Sequence, residues 1–468
     1  MAARKRALRP LPSLADAEQS VFWLDSPDAP EPLPALEGER RCDLAVVGGG
    51  FTGLWAALLA APGEDVVLLE GDRCGSGASG RNGGFLDPSL THGLENGLSR
   101  WPGEMEKLGR MGHENFAAIR ETLAARGIDA GWREPGYIDV ATREHEVEGL
   151  REYGESARRL GEEVHYLDRE AVRSRVDSPT YLAGLHWPEG GALVDPARLA
   201  WGLRRALLED GVGVFENTPV TELRRDGDGV ELVTGSGVVR ARRVVLATSA
   251  FPPLLRSMGL FVLPVYDYVL VTEPLDASRR AAIGWEGREG LSDSGNRFHY
   301  YRLTEDDRIL WGGYEAVYHY GNGMRPELED SAEVFNLLAH NFAETFPQLE
   351  GLRFSHRWAG AIDTCSRFCV TFGTALGGRV AYAVGYTCLG VGASRFGARV
   401  ALDLVHGRHS ELTRLEMVRS RPLPFPPEPL RYAVVQATRR ALVNSDERGG
   451  RRGPWLKLLD RVGAGFDS

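Results

Sequence analysis

Residues 42–70 read CDLAVVGGGFTGLWAALLAAPGEDVVLLE. Cys42 to Val47 is a short β-rich run. A glycine cluster follows, then an apolar helical stretch from Thr52 to Ala61, and Asp65 to Leu69 is a second, wholly buried strand. A strand-helix-strand unit of about thirty residues is the mark of a parallel sheet. Its first turn carries G-x-G-x-x-G at Gly48, Gly50 and Gly53. Gly48 makes the tight turn, Gly50 lets the backbone approach a pyrophosphate, and Gly53 lets the helix pack close to the strand. The phosphates belong at the helix N-terminus around Thr52, where free N–H groups and the dipole favour negative charge. Glu70 ends the second strand, where an acid accepts hydrogen bonds from ribose hydroxyls. Motif and context together predict a dinucleotide site.

The next segment separates FAD from NAD. Gly75-Ser76-Gly77-Ala78-Ser79-Gly80-Arg81-Asn82-Gly83-Gly84 is almost free of side chains. Such a loop can wrap a large planar group and present N–H donors and small hydroxyls to it. A second NAD-type strand-helix-strand half is missing here, so FAD is the expected cofactor.

These motifs resemble the D-amino-acid oxidase/glycine oxidase superfamily of FAD-dependent oxidoreductases, and within it the γ-glutamylputrescine-oxidase-like branch. GGGFTGL, Glu70 with Arg73, and GSGASGRNGG carry the likeness. Ser79, Arg81, Asn82, Gly83 and Gly84 are the loop's cofactor contacts on this reading. Thr218-Pro219-Val220 is similar to the family segment whose backbone meets the adenine. Arg243 to Thr248 is similar to the strand that closes the FAD domain, with Ala247 and Thr248 at its end. Trp311-Gly312-Gly313, Trp358-Ala359-Gly360 and Gly385 to Gly390 resemble later signatures. The likeness spans roughly residues 40–410. It departs from the family where Cys388-Leu389-Gly390 replaces a common Gly-His-Gly. Flavin-linked relatives carry His or Cys at places that fall on Arg81 and Gly360, so the resemblance implies non-covalent FAD. Cys388 is either a flavin-facing exception or a small buried filler, and Cys365 and Cys369 read as core thiols.

The resemblance also implies oxidation of a C–H next to an amine nitrogen, with flavin N5 taking a hydride. The substrate would be a small amine or amino acid, and the electron acceptor oxygen or another molecule. The protein must hold the carbon close and keep the amine neutral. Strand alternation puts Tyr266 and Tyr268 on one face of Val265–Leu270. It puts Phe298, Tyr300 and Arg302 on one face of the next strand, and His299 and Tyr301 on the other. Either Tyr300 and Arg302 or His299 and Tyr301 are expected to line the pocket, with Arg302 as a clamp for a substrate carboxylate. Trp358 belongs beside the flavin or in the core. His113, His145, His165 and His186 have no supporting pattern.

The composition is that of a soluble globular protein. The 468 residues are 26% charged and 43% hydrophobic, with a net charge of −10. That balance argues against nucleic acid as a partner. The longest apolar stretch, Leu54 to Ala61, falls far short of the ~18 residues a membrane span needs. The basic start Met1 to Arg6 lacks a following apolar segment, so secretion is not expected. Cysteines at 42, 74, 365, 369 and 388 are odd in number and sparse, which fits a reducing, cytoplasmic setting. No metal site is expected, because Cys365 and Cys369 have no second pair. Lysine occurs only at 5, 107 and 457, so an active-site lysine would have to be Lys107. HExxH, GxSxG and GxxxxGK motifs are absent from the sequence.

The expected fold is α/β: a Rossmann-like FAD-binding domain with an inserted mixed-sheet substrate domain. Segments 41–100, 190–255 and 350–410 form the first, and 101–189 with 256–349 the second. Residues 1–40 make an N-terminal arm and 411–468 a C-terminal appendage. Two rival readings are a hydroxy-acid dehydrogenase on the same scaffold and a non-catalytic flavin-binding protein.

Overall fold

The computed structural model describes residues 8–461 and 463. The extreme N-terminal part of the arm and the last residues of the appendage lie outside the described residues. Among the described residues two large sheets carry the molecule, one of eight strands and one of ten.

The smaller sheet grows from the quoted stretch. Gly38–Val47 pairs in parallel with Val66–Leu69 on one side and with Gly237–Leu246 on the other. Gly213–Phe215 extends the parallel run, and Val380–Val384 joins the far end of Gly237–Leu246. Leu44 to Val47 and Val66 to Leu69 are buried on both faces, which is why they read as unbroken apolar runs. The helices Phe51–Ala60 and Gly390–Val405 pack together over one face. Asp195 caps the helix Pro196–Glu209 by accepting from the N–H groups of Ala197 and Arg198, with Pro196 at the first helical position.

The larger sheet is mixed. Leu263–Thr272 lies between Phe354–Thr364 and Ile309–Gly313, and Ile309–Gly313 pairs with His299–Leu303 as a hairpin. Gly290–Asp293, Tyr137–Ala141, Ala183–Trp187 and His165–Leu167 continue it. The helix Ala332–Thr345 covers one face, and its Phe335, Leu338 and Phe342 are buried with Tyr266, Tyr268 and Trp311.

One expected grouping changes. Residues 350–410 do not belong to a single sheet: Phe354–Thr364 is the long antiparallel partner of Leu263–Thr272, while 371–384 returns to the smaller sheet. The eleven-residue strand Phe354–Thr364 finds most of its backbone partners along the ten-residue strand Leu263–Thr272. The arm lies on the body, with Glu18–Gln19 pairing beside Phe354–Thr364. Nearby, His356 meets Asp25 at 3.4 Å.

Candidate active site

The G-x-G-x-x-G turn is as tight as its residues require. Gly48 has φ +107°, and a Cβ there would stand 2.5 Å from the Ala247 carbonyl oxygen. A Cβ on Gly53 would lie 1.8 Å from the Gly48 carbonyl oxygen. Gly50 caps the helix Phe51–Ala60 without a side chain, and the Phe51 N–H is met by Ser79 Oγ at 2.9 Å. Thr52 turns its hydroxyl to Tyr386 Oη at 2.8 Å, tying this helix to the loop 385–390. The Glu70 carboxylate accepts from the Gly49 and Asp72 N–H groups, and burial raises its pKa.

A cavity of about 1660 Å³ runs from this turn to the larger sheet. Gly48, Gly50, Thr52, Glu70, Ser79, Arg81, Asn82, Gly83, Val220, Ala247, Thr248, Cys388, Leu389 and Gly390 all border it. That exceeds the ~300–1,000 Å³ of an ordinary small-ligand pocket and leaves room for a dinucleotide with a substrate beside it. Thr248 Oγ1 is buried there with no hydrogen-bond partner, a group that a bound cofactor would satisfy. The cradle therefore fits FAD.

The glycine loop is held from behind. Asn82 donates to the Ala78 and Ser79 carbonyls and accepts from the Gly84 N–H. Trp23 and Trp358 donate their indole N–H groups to the carbonyls of Asn82 and Arg81. Arg81 donates to the Ser76 and Ala359 carbonyls and pairs with Glu329.

Two expected contacts fall elsewhere. Arg73 reaches the Pro30 carbonyl of the arm rather than the cavity, because the chain turns outward after Glu70. Arg302 is 4% exposed, and its guanidinium donates to the carbonyls of Val194 (2.7 Å), Gly84 (3.4 Å) and Gly83 (3.5 Å). It holds the glycine loop and has no donor turned to a substrate carboxylate.

Of the two candidate faces, the one bearing Tyr300 meets the cavity. The Tyr300 ring packs on Gly83 and Gly312, and its hydroxyl donates to Asp267. Burial pushes the Asp267 carboxyl up to about 6 and raises the Tyr300 phenol well above its ordinary value. His299 instead stacks between Trp311 (4.4 Å) and Tyr314 (4.6 Å), bonded to Asp293 and Asn341. Tyr301 bonds to Tyr181 in the core. Tyr266 reaches the cavity edge, but its hydroxyl accepts from the Arg325 N–H and its ring packs in the core with Tyr268. Alternation places Asp267, between the two tyrosines, on the cavity face.

The loop 385–390 closes the inner end. Asp363 accepts from the N–H groups of Gly385 (2.7 Å) and Tyr386 (3.2 Å), and burial pushes it to about 7. Thr387 and Cys388 both take left-handed φ values, +48° and +72°, a strained choice for residues with side chains. Cys388 is exposed on the cavity wall, not a buried filler. Apolar walls and the nearby acids Asp267 and Asp363 push its thiol up to about 12, leaving it neutral and weakly nucleophilic. Gly360 and Arg81 stand side by side, the absent glycine Cβ lying 3.5 Å from that of Arg81.

Several lining residues were not foreseen. Asp267, Asp139 and Asp363 each interrupt an otherwise apolar strand, and an ionisable group in such a run is a readable signal. Helical pieces are expected between Arg431 and Leu459, but the place of the helix Leu430–Glu447 in the cavity wall is not. Val434, Val435, Thr438 and Leu442 wall the cavity, and Asp446 anchors the helix to Asn296 and Arg297. Nothing in its local sequence points to that position.

Fold and cavity define a flavin-dependent redox protein, and the comparisons agree. The chain belongs to the FAD dependent oxidoreductase family, whose model (DAO) matches residues 43–404. It is 33% identical over 397 residues to gamma-glutamylputrescine oxidoreductase of Escherichia coli (strain K12), covering 83% of this chain and 89% of that protein. It is 28% identical over 408 residues to the probable oxidoreductase OrdL of Haemophilus influenzae, covering 84% and 90%. Among solved structures, glycine oxidase from Geobacillus kaustophilus superposes with a TM-score of 0.68 at 24% identity, over 81% of this chain and 99% of that one. The protein is an FAD-dependent oxidoreductase. The helix Leu430–Glu447 lies beyond the matched region.

Proposed function

We propose that the protein oxidises the CH–NH group of a small amine to the imine, which water converts to a carbonyl compound and the freed amine. The observation that carries this is the continuity of the cavity from the Gly48–Gly53 cradle to Tyr300 and Asp267. The names of its relatives, an oxidoreductase of gamma-glutamylputrescine and a glycine oxidase, support a CH–NH substrate. Bound FAD supplies the acceptor for the hydride that leaves the carbon beside nitrogen, and with it two electrons.

The chain's own residues hold and deprotonate the amine. Only the neutral amine can release a hydride, so an ammonium entering the site must lose a proton. Asp267 is the acceptor we assign, set near pH 6 by burial and positioned by the Tyr300 hydroxyl. Arg81 and Gly360 offer no nucleophile for a flavin link and the Cys388 thiol is neutral, which supports non-covalent FAD. Lys107 pairs with Glu411 at the surface, and among the described residues no lysine lines the cavity. That favours slow reaction with oxygen and another electron acceptor. The five free cysteines support a cytoplasmic location. Among the described residues no helix is long and apolar enough to cross a membrane.

Anaerobic mixing of the holoenzyme with amines, amino acids and hydroxy acids tests the reading. Amines are expected to bleach the flavin, and Asp267→Asn to slow bleaching about 100-fold while removing the pH limb near 6. Bleaching by hydroxy acids alone would refute it. Stopped-flow reoxidation in air reads the electron acceptor.

A further inference from the structure

Beyond Tyr300 the cavity continues into a chamber walled by Asp87, Tyr137, Asp139, Tyr153 and His92. Its two aspartates are brought together by the fold. Tyr137 and Asp139 share one face of Tyr137–Ala141. The Tyr137 hydroxyl accepts from the Leu86 N–H at 3.1 Å, which sets Asp87 beside the same tyrosine. On the other side Asp139 accepts from Trp187 Nε1 at 2.8 Å, and the Trp187 ring meets Tyr153 edge-on at 5.7 Å. The chamber is thus two carboxylates set among tyrosine rings.

No basic side chain among the described residues forms an ion pair or hydrogen bond with either acid. Asp87 accepts from the Ser89 N–H, and Asp139 from Trp187 alone. The charges Asp87 feels are Glu162 and His113, which face each other at 3.7 Å. His92 in the same wall is pushed down to about 4 by burial, so it is neutral at pH 7. Arg297 is already committed to Glu315 and Asp446, and Arg81 to Glu329. Arg302 is turned away onto backbone carbonyls. The chamber itself therefore offers paired acids to a cation, while Arg325, an exposed cavity-lining residue whose backbone N–H donates to Tyr266, stands at the Tyr266 edge of the cavity.

We propose that this chamber binds the distal ammonium of an α,ω-diamine, held between Asp87 and Asp139 while the other amino group stands at Asp267 and the flavin. The proposal rests on the amine-oxidation reading and narrows it: the substrate carries a second positive charge. Desolvated carboxylates and aromatic faces both favour an ammonium over a neutral alkyl end. Burial without a counter-charge pushes each aspartate to about 6, and each feels the other or a further acid. A bound ammonium relieves both.

The test uses the dithionite-reduced holoenzyme, which binds amines without turning them over. Calorimetry gives Kd for α,ω-diamines of three to eight carbons, for n-alkylamines of the same lengths, and for glycine and sarcosine. The best diamine is expected to bind at least about tenfold tighter than its monoamine. Asp87→Asn and Asp139→Asn should each bring the two within about twofold. Asparagine keeps the acceptor for Ser89 N–H or Trp187 Nε1–H, and flavin content with thermal unfolding checks that each variant is folded. Equal wild-type affinity for diamine and monoamine, tighter binding of glycine or sarcosine, or an undiminished preference in the variants would overturn the chamber. Diamine binding that the variants weaken, with no amine bleaching the oxidised flavin, would support the chamber and refute the oxidation reading. Bleaching by mono- and diamines at equal Kd would refute the chamber alone.

Discussion

Arg302 shows how one side chain changes meaning with its surroundings. Beside tyrosines in a strand, an arginine suits a substrate carboxylate. In the folded chain its guanidinium donates to the carbonyls of Gly83 and Gly84 in the glycine loop and of Val194, and burial lowers its pKa to about 10. Arg302→Met should leave those carbonyls short of donors. The expected cost is about 2–4 kcal/mol in urea unfolding, with weaker flavin retention because Gly83 and Gly84 lose their anchor. A variant of parental stability and flavin content whose only defect is a raised KM for amino acids would restore the carboxylate role. Asp363 gives a second test at one residue. Its folded pKa, about 7, stands above the ordinary 3.8, so the fold binds its proton more tightly than the unfolded chain does. The stability that this proton contributes is full below about pH 4 and is lost as pH rises through 7. Asp363→Asn cannot ionise. Its unfolding free energy relative to the parent should therefore climb between pH 5 and 8, and a difference that stays flat or falls would contradict the assignment.

The strand-turn-helix that begins at Gly38 is the element on which the cofactor site depends. Its glycines are spacing devices: the helix Phe51–Ala60 sits so close that any Cβ on Gly53 would enter the Gly48 carbonyl. Gly53→Ala must push helix and strand apart. It should destabilise the flavin-free protein by about 1–3 kcal/mol and reduce bound flavin per chain at least about tenfold, measured by absorbance after gel filtration. Wild-type flavin content in that variant would show that the close approach is dispensable. Alternation is the second rule at this level. It placed Tyr300 and Arg302 on one face, as the residue pattern implies, and in Leu263–Thr272 it presents Asp267 to the cavity while Tyr268 enters the core and Tyr266 packs there with its edge at the cavity. Which face of a strand meets a cavity depends on what covers the other face, here the helix Ala332–Thr345.

In the whole molecule the cavity is shared by parts far apart in the chain. The glycine cradle comes from residues near 50 and 250, the wall with Asp267 and Tyr300 from the larger sheet, the acid chamber from 87 and 139, and the outer wall from 434–446. The ion pairs that join Arg439 and Arg297 to Glu315, and Arg297 to Asp446, fasten the C-terminal helix over the larger sheet. The enclosed acids explain why so much of the interior titrates above its ordinary range: Asp87, Asp139 and Asp267 to about 6, all by burial.

Much of the cofactor cradle was legible because it is local. A tight turn, a close helix and an acid at a strand end are set by residues within thirty positions of one another, and glycine is the one residue that such backbone geometry tolerates. The family likeness and the α/β class followed from the same stretch. The substrate side was not legible in that way. Whether Arg302 faces a ligand or a carbonyl, whether Asp139 lies within reach of the Asp87 charge, and whether a C-terminal helix becomes a wall all depend on contacts between segments tens to hundreds of residues apart. Those contacts are decided by how the two sheets and their covering helices exclude water from one another, and no local pattern of residues records that.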